Sequence, residues 1–265
     1  MGFSTVRQID GFRACLLFIS FFITALLMLA IGSLFAVPEL TDIWKSLKSE
    51  EMRFALRLSL ITGSASTVLV MLFALPIGYT LSRFEFRGKR LVKTICDLPV
   101  AFPELVLGLC LLMLFGNTFV GKLFQLMGLN FVFTRQGVVV AQFFTALPYA
   151  IRIMKSTFDY ISPRLEFVSR SLGYTQFETV RHVTLPLAKN GLTAATVISF
   201  ARCIGTFGTV LILAGGSHMQ TEVLPTALYL NISYGNMGMA LTSGMVLVVV
   251  SFIAIFIFEK ADVSL

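Results

Sequence analysis

The chain contains six apolar segments, and their lengths constrain the fold more than any other feature of the sequence. A helix needs about 20 residues to cross about 30 Å of hydrocarbon, and only helices or closed barrels satisfy their backbone polar groups there. Segments of this length are too long for barrel strands. We therefore expect an all-α polytopic membrane protein with about six transmembrane helices. The segments cover residues 14–37, 54–81, 98–115, 138–153, 191–214 and 238–258.

The composition excludes a water-soluble protein. Hydrophobic residues make up 56% of the chain and charged residues 13%, with a mean hydropathy of +0.85, whereas soluble domains carry about 25% charged residues. No internal repeat, low-complexity tract or long hydrophilic domain interrupts the apolar segments. We divide the chain into an N-terminal segment, residues 1–53, with the first span and an outer loop, and a core, residues 54–265. A transporter built in this way takes its energy from an ion gradient or from another subunit.

The positive charges predict the orientation in the membrane. Lys and Arg residues cluster in segments 83–93 and 152–189, whereas segment 215–237 contains neither. Such an excess marks the cytoplasmic connections, so we expect both basic segments and both termini in the cytoplasm. The net charge of +7 is spread between the spans and forms no basic face, so we expect no nucleic-acid partner. The four cysteines lack the spacing of metal ligands, and we expect no metal site.

Two ionisable residues inside the spans are candidates for the solute path. Arg202 lies in the fifth span and Glu104 in the third, and each is costly in hydrocarbon unless it faces protein or water. One hypothesis places them along the path or at its gate. The alternative, which we favour, is an internal ion pair that fixes the packing, with Glu104 as a candidate partner of Arg202. Gly205 and Gly208 permit either a gating bend or close helix packing.

The connection between the fourth and fifth spans carries its own helix signals. The Ser-Pro pair at 162–163 is typical of a helix start, with the serine hydroxyl as N-cap. Gly173 is typical of a helix end, and Thr175 with Glu178 fits a capping box that starts a second helix. This second helix should end before the Leu-Pro pair at 185–186. We expect a cytoplasmic corner of helix, glycine and helix, which either docks a partner or lies as a hairpin on lipid headgroups.

This connection resembles the EAA loop of ABC importer permeases. The motif is Glu-Ala-Ala, three residues, Gly, nine residues, an aliphatic residue, any residue and Leu-Pro. The matching positions are Gly173, Val183, Leu185 and Pro186. The sequence departs from the motif at 167–169, where Phe-Val-Ser stands in place of Glu-Ala-Ala, and the nearest carboxylate is Glu166.

Four further blocks are similar, in the same order, to permeases that import molybdate, tungstate or sulfate. These blocks are residues 98–108, 146–152, 200–208 and 221–225. In the third block many permeases of this kind have Glu where this chain has Thr206. The resemblance covers roughly residues 54–258.

The resemblance implies the type I ABC importer (MetI-like) permease fold, in the cytoplasmic (inner) membrane of a bacterium or archaeon. The chain would be a non-catalytic subunit that binds no cofactor, while ATP and Mg would bind to two copies of a separate ATPase subunit. A second permease subunit, identical or paralogous, would complete the path through the lipid bilayer. An extracytoplasmic solute-binding protein would deliver the solute.

The resemblance, together with the charges and glycines inside the spans, gives the predicted site residues. A coupling loop at about 156–187 would dock the ATPase subunit and convert its closure into rotation of the helix bundles. The predicted docking residues are Glu166, Ser169, Leu172, Gly173, Tyr174, Phe177 and Arg181. The aromatic residues could instead pack against their own spans. The predicted path or gate residues are Arg202, Gly205, Thr206, Gly208 and Glu104.

The expected solute is an oxyanion such as molybdate, tungstate or sulfate, although Glu104 argues against a purely anionic path. Importers of iron, polyamine or phosphonate are the alternatives within the family. An ion-coupled secondary transporter would need more ionisable residues inside its spans. A membrane-embedded enzyme would need a metal cluster or a nucleophile–base pair, and the sequence contains neither.

Overall fold

The computed structural model describes residues 11–36 and 40–263, and all regular secondary structure within these ranges is helical. Both predicted cytoplasmic termini, at residues 1–10 and 264–265, and Val37, the predicted end of the first span, lie outside the described residues. The helices are α1 (Gly11–Ala36), α2 (Leu40–Lys48), α3 (Glu50–Arg83), α4 (Lys89–Ala101), α5 (Glu104–Asn117), α6 (Phe119–Leu126), α7 (Arg135–Tyr160), α8 (Pro163–Ser171), α9 (Gln176–Thr179), α10 (Leu185–Leu187), α11 (Lys189–Gly205), α12 (Gly208–Ala214), α13 (Leu224–Ser233) and α14 (Met237–Val263). A π-helical turn, Val180–Thr184, lies between α9 and α10.

Four of the described helices are individually long and apolar enough to cross a membrane, namely α1, α3, α7 and α14. Two further pairs reach this length only together, α4 with α5 at an angle of 117° and α11 with α12 at 58°. If each bent pair is one span, the described chain has six, in agreement with the predicted number. The third and fifth spans are both broken, and for the fifth span a bend was one of the two alternatives left open by the sequence.

Proline breaks the third span. Phe102 is extended, with φ −86° and ψ 143°, because the residue before proline is biased away from helix. The preceding helix α4 begins with Lys89 and Arg90 and buries none of its residues within this chain. The predicted start of the third span, residue 98, was therefore wrong. Residues 98–101 form the last turn of the amphipathic helix α4.

The fifth span breaks at Thr206 and Phe207. Thr206 is extended, with φ −66° and ψ 121°, so the helical hydrogen bonding of α11 stops there. The Thr206 hydroxyl donates to the backbone carbonyl of Arg202 at 2.7 Å, which satisfies one acceptor at the end of α11. Of the two alternatives for Gly205 and Gly208, a bend is present at this position.

The centre of the bundle is formed by α3, α7 and α11. The buried residues that they contribute to one cluster include Val70, Ala74, Ala146, Ala150, Met154, Phe158, Ala195 and Cys203. Small residues allow close approach: a Cβ atom added to Gly78 would lie 2.8 Å from the Met154 Cβ. Ser66 bonds to Gln142 and Ser82 to Asp159, so α3 and α7 run in parallel. The C-terminal ends of α3 and α7 therefore lie at the same end of the bundle.

The first span buries little of its apolar surface against the rest of this chain. The strongest window of α1 has a mean hydropathy of 2.7, and none of it is buried. A helix that is apolar on all sides is covered by lipid or by another protein chain. Three connections on the predicted outer side contain helices: α2 before the second span, α6 before the fourth and α13 before the sixth.

Candidate functional site

The corner after α7 has the predicted helix–glycine–helix form. Pro163 begins α8, and Gly173 follows it with φ +98°, a left-handed conformation that side chains disfavour. Thr175 then starts α9 with a capping box: its hydroxyl accepts from the Glu178 N–H at 3.3 Å, and Glu178 Oε2 accepts from the Thr175 N–H at 2.8 Å. One detail was wrong, since Ser162 occupies the N-cap position of α8 but its side chain makes no capping hydrogen bond.

The capping box also sets the charge state of Glu178. The Thr175 N–H and hydroxyl both donate to its carboxylate, and they hold the pKa of Glu178 below its ordinary value. The ionised form is therefore the one that the corner favours.

The second helix of the corner does not end before Leu185 and Pro186, contrary to the prediction. After α9 the chain widens into the π-helical turn, where the Leu185 N–H donates to the carbonyl of Val180, five residues back. The Ala188 N–H then donates to Thr184 O at 2.9 Å, which carries the helical path past Pro186. A local π-turn accommodates the missing N–H of proline and leads the corner directly towards α11.

Glu166 holds the corner against the end of α3. Its Oε1 accepts from Arg83 Nε and from the Thr184 hydroxyl, both at 2.9 Å, and its Oε2 accepts from the Tyr79 hydroxyl at 3.0 Å. Arg83 Nη2 also donates to the backbone carbonyl of Ile161 at 2.8 Å. The Arg83 and Glu166 side chains are only 8% and 12% exposed, so solvent screens this ion pair weakly. We call these residues, Tyr79, Arg83, Glu166 and Thr184, the corner clamp.

Glu166 and Ser169 were predicted to contact the ATPase subunit, but the structure turns both side chains towards the protein. Ser169 is 7% exposed and its hydroxyl lies 3.1 Å from that of Thr179, which joins α8 to α9. Their positions follow from the pitch of α8, which places residues 166 and 169 on the same helix face. That face packs against the π-turn and the end of α3.

The opposite face of the corner is apolar and exposed. Phe167, Leu172 and Phe177 are 73%, 76% and 73% exposed, and Tyr174 is 47% exposed with its ring against His182. The alternative that these aromatic residues pack against their own spans does not hold in this chain. Arg181 is exposed beside them, and Val183 and Leu185 are half-buried. Contiguous exposed apolar side chains of this kind mark a protein or membrane contact surface.

Glu104 joins the two broken spans. Its Oε2 accepts from the N–H groups of Phe207 and Gly208, at 3.1 and 2.9 Å, at the start of α12. Its backbone carbonyl accepts from the Thr209 hydroxyl at 3.0 Å. A carboxylate at a helix start is stabilised by the unpaired amides and by the helix dipole. A Cβ atom at Gly208 would lie 3.0 Å from the Glu104 Cβ, so this glycine allows the close approach.

The favoured ion pair between Arg202 and Glu104 is absent from the described chain. Glu104 binds backbone amides instead, and the Arg202 guanidinium carbon lies 4.1 Å from the centroid of the Tyr149 ring. This is the geometry of a cation–π contact. Arg202 and Gly205 are exposed on this chain, whereas Thr206 is buried. Among the predicted path residues, Glu104, Thr206 and Gly208 are thus brought together at the span break, and Arg202 lies on an open face.

Sequence reasoning missed Tyr79, Arg83 and Thr184 as members of the corner clamp. Arg83 was counted only among the positive charges that mark the cytoplasmic side. The available signal was the spacing of Tyr79 and Arg83, four residues apart near the end of a span, which places a hydroxyl and a guanidinium on one helix face.

Known proteins resemble this chain in sequence and in structure. The family model described as "Binding-protein-dependent transport system inner membrane component" matches residues 71–262. The probable molybdenum ABC transporter permease protein of Haloferax volcanii is 36% identical over 187 residues, which is 71% of this chain and 68% of that protein. The sulfate transport system permease protein CysT of Salmonella typhimurium is 28% identical over 238 residues, 88% of this chain and 85% of that protein.

Solved structures support the fold. A chain of a bacterial alginate ABC transporter, in complex with alginate pentasaccharide-bound periplasmic protein, has a TM-score of 0.74 at 14% identity and covers 96% of each chain. A chain of the MetNI methionine ABC transporter, in an inward-facing conformation, has a TM-score of 0.60 at 21% identity and covers 82% of this chain and 98% of that one. The predicted importer permease fold is therefore confirmed. With a family match that spans most of its length, this chain belongs to the inner membrane components of binding-protein-dependent transport systems.

Proposed function

We propose that this chain is the permease subunit of an ABC importer for a tetrahedral oxyanion of the molybdate, tungstate and sulfate class. It pairs with a second permease subunit, identical or paralogous, in the cytoplasmic membrane of a bacterium or archaeon, with both termini in the cytoplasm. Two ATPase subunits supply the energy from ATP and Mg. An external binding protein delivers the anion. Family membership supports the general assembly, and the names of the relatives support the solute class.

The corner carries the coupling part of this proposal, because it combines an exposed apolar face with a buried clamp. Leu172, Tyr174, Phe177 and Arg181 are available to contact the ATPase subunit. Aromatic and arginine side chains of this kind dominate protein interfaces. The corner clamp fixes the opposite face to α3, so a displacement of the corner is transmitted to the span. Glu166 and Ser169 hold the corner in shape in this proposal, and they do not touch the ATPase subunit.

Arg202 carries the solute part of the proposal. It lies within the fifth span, is exposed on the single chain and has no carboxylate within ion-pair distance among the described residues. A cation in the hydrocarbon zone must face water or protein, so this surface belongs to the path or to the contact with the second permease. Glu104, which argued against an anion path, is occupied by the amides of α12. A path with an available cation, and with its carboxylate held by backbone amides, favours anions.

The coupling role is tested at two glycines whose positive φ angles would strain any residue that has a side chain. Gly173 has φ +98° and Gly128, in the loop between α6 and α7, has φ +79°, and an added Cβ meets nothing within 4 Å at either position. Gly173→Val in the complete importer should abolish ATP turnover that depends on the binding protein. Gly128→Val should retain it, because the strain is similar but lies away from the corner. Equal activity of the two variants would reject the docking role.

A second pair of variants tests the apolar contact with the ATPase subunit without changing the backbone of the corner. Phe177→Ala should weaken co-purification of the ATPase subunit, whereas Phe119→Ala, which removes an equally exposed ring from α6, should not.

The solute class is tested by uptake of labelled molybdate, sulfate and a polyamine into proteoliposomes. Oxyanion uptake should fall in Arg202→Gln and be partly retained in Arg202→Lys. Polyamine uptake without oxyanion uptake would overturn the solute assignment.

A further inference from the structure

A cavity opens at the end of the bundle opposite the corner. It has a volume of 380 Å³ and lies between the N-terminal parts of α3 and α7, which run in parallel. Its lining residues are Phe54, Arg57, Leu58, Ile61 and Arg135. One water occupies about 30 Å³ in the liquid, so the cavity has room for a small anion with part of its hydration shell.

Among the described residues, neither arginine of this cavity has a carboxylate partner. Within residues 11–36 and 40–263, Arg57 forms no hydrogen bond or ion pair, although it lies only seven residues into a transmembrane helix. Arg135 is the first residue of α7, where the helix dipole disfavours a positive charge. No contact within the described residues therefore explains the position of Arg57.

Arg135 is nevertheless held in one orientation. Its Nε donates to the backbone carbonyl of Gln220 at 3.1 Å, and its guanidinium carbon lies 5.4 Å from the centroid of the Phe54 ring. These two contacts leave both terminal nitrogens available. A planar guanidinium presented in this way matches two oxygens of a tetrahedral oxyanion.

The nearby acidic side chains are engaged elsewhere. Glu51 of α3 lies 3.6 Å from His218 Nε2, and the almost buried Glu222 lies 3.2 Å from His218 Nδ1. Neither of these two carboxylates lies within ion-pair distance of Arg57 or Arg135. An uncompensated pair of cations around a cavity attracts anions and raises their local concentration.

We propose that Arg57 and Arg135 form an outer oxyanion subsite, which receives the anion from the binding protein before it enters the path. This inference rests on the proposed function. The ligand is a small tetrahedral oxyanion and not an acidic surface of the binding protein or a lipid phosphate, because both arginines line a cavity of 380 Å³ and an outer-loop carbonyl fixes Arg135.

The test uses the complete importer in proteoliposomes with labelled molybdate and saturating binding protein. Arg57→Gln and Arg135→Gln should each reduce the uptake rate about tenfold, as expected for the loss of a charge-assisted contact. The concentration of binding protein at half-maximal ATP turnover should not change. Arg57→Lys should retain more uptake than Arg57→Gln. Arg53→Gln is the matched control: it removes the same charge one turn away, where Arg53 donates only to the carbonyls of Lys48 and Ser49.

Three results would overturn the subsite. Uptake by Arg57→Gln and Arg135→Gln equal to that of Arg53→Gln would show that the cavity takes no anion. A change only in the half-maximal concentration of binding protein would assign the arginines to its acidic surface. A loss of uptake only in vesicles containing phosphatidylglycerol, and not in phosphatidylcholine alone, would assign them to lipid headgroups. Failure of the unmodified importer to take up any oxyanion would instead reject the proposed solute class.

Discussion

At the scale of single residues, two part-buried carboxylates connect segments that are distant in sequence. Glu166 binds side chains from α3 and from the π-turn, and Glu104 binds the first amides of α12. In both cases the charge is compensated by several donors, which is the condition for burying an ion without a large penalty. Substitution of such a carboxylate should be destabilising, because its hydrogen-bond donors then remain in the protein interior without an acceptor.

Glu166→Ala should destabilise the protein strongly. The change leaves Arg83 buried without its counter-ion, which costs about 3 kcal/mol in comparable pairs. We expect a lower midpoint of thermal unfolding for the detergent-solubilised protein and faster proteolysis within residues 162–187. The matched control is Glu85→Ala, because Glu85 is 88% exposed and pairs with Lys89 on the surface. A midpoint for Glu166→Ala as high as that of Glu85→Ala would contradict the corner clamp.

The role of a residue could be predicted from the sequence only where its hydrogen-bond partners lie close to it in the chain. Gly173 and the Thr175–Glu178 capping box were predicted correctly, since their signals lie within a few residues. Glu166 was assigned to the ATPase surface because its partners Tyr79 and Arg83 are more than 80 residues away. Sequence alone does not show which carboxylate such a pair of side chains will meet.

At the scale of secondary-structure elements, the broken spans depend on close contact between α5 and α12. A Cβ atom at Gly108 would lie 2.9 Å from the Ile212 Cβ and 3.0 Å from the backbone of Thr209. The two helices are thus in backbone contact, and Glu104 lies at one end of this contact.

Gly108→Ala should separate α5 from α12. Because the new methyl group meets backbone atoms that cannot rotate away, we expect a loss of about 1–3 kcal/mol in the free energy of unfolding. Gly116→Ala, in the same helix, places its methyl group 3.8 Å from a Val132 side chain and should leave the stability unchanged or slightly higher. The comparison is made by thermal unfolding in detergent. Equal stability of the two variants would show that the contact is looser than the structure indicates.

The capping box of α9 should make the corner sensitive to acid. The Thr175 donors lower the pKa of Glu178, so its stabilising contribution is complete above the ordinary glutamate pKa and is lost as the pH falls through the lowered value. We expect the difference in corner proteolysis between the parent protein and Glu178→Gln to be largest near pH 7 and to vanish in acid. A difference that is constant between pH 7 and pH 3 would refute this account.

The number of spans could be predicted because it follows from apolar length, but their continuity could not. Pro103 was visible in the sequence, yet the apolar residues on both sides of it outweighed the proline signal. The break at Thr206 has no proline, and it depends on Glu104 accepting the amides of Phe207 and Gly208 from another span. Local propensity does not encode that contact.

At the scale of the whole molecule, the parallel packing of α3 and α7 defines two ends of the bundle. The corner lies at the C-terminal ends of these helices, and Ser233, the last residue of α13, lies towards their N-terminal ends, where Ser49 contacts Met239. The excess of basic residues predicts that the corner faces the cytoplasm.

Single cysteines should confirm this orientation. Ser171→Cys in the corner and Ser233→Cys in α13 are both exposed, and they are introduced after the four native cysteines have been replaced by alanine. A maleimide that cannot cross the cytoplasmic membrane should label Ser233→Cys in intact cells whose outer envelope has been permeabilised. It should label Ser171→Cys only in inverted membrane vesicles. The reverse pattern would place the corner outside and remove the basis of the importer proposal.

The corner clamp has a thermodynamic consequence for the entire importer. Arg83 and Arg57 belong to the same helix, 26 residues apart, and a helix rises about 1.5 Å per residue, so one rod of about 40 Å joins the clamp to the outer cavity. If the nucleotide state shifts this rod, it changes the affinity of the outer cavity for its anion. Linkage then requires that the anion change the affinity of the corner for the ATPase subunit by the same factor.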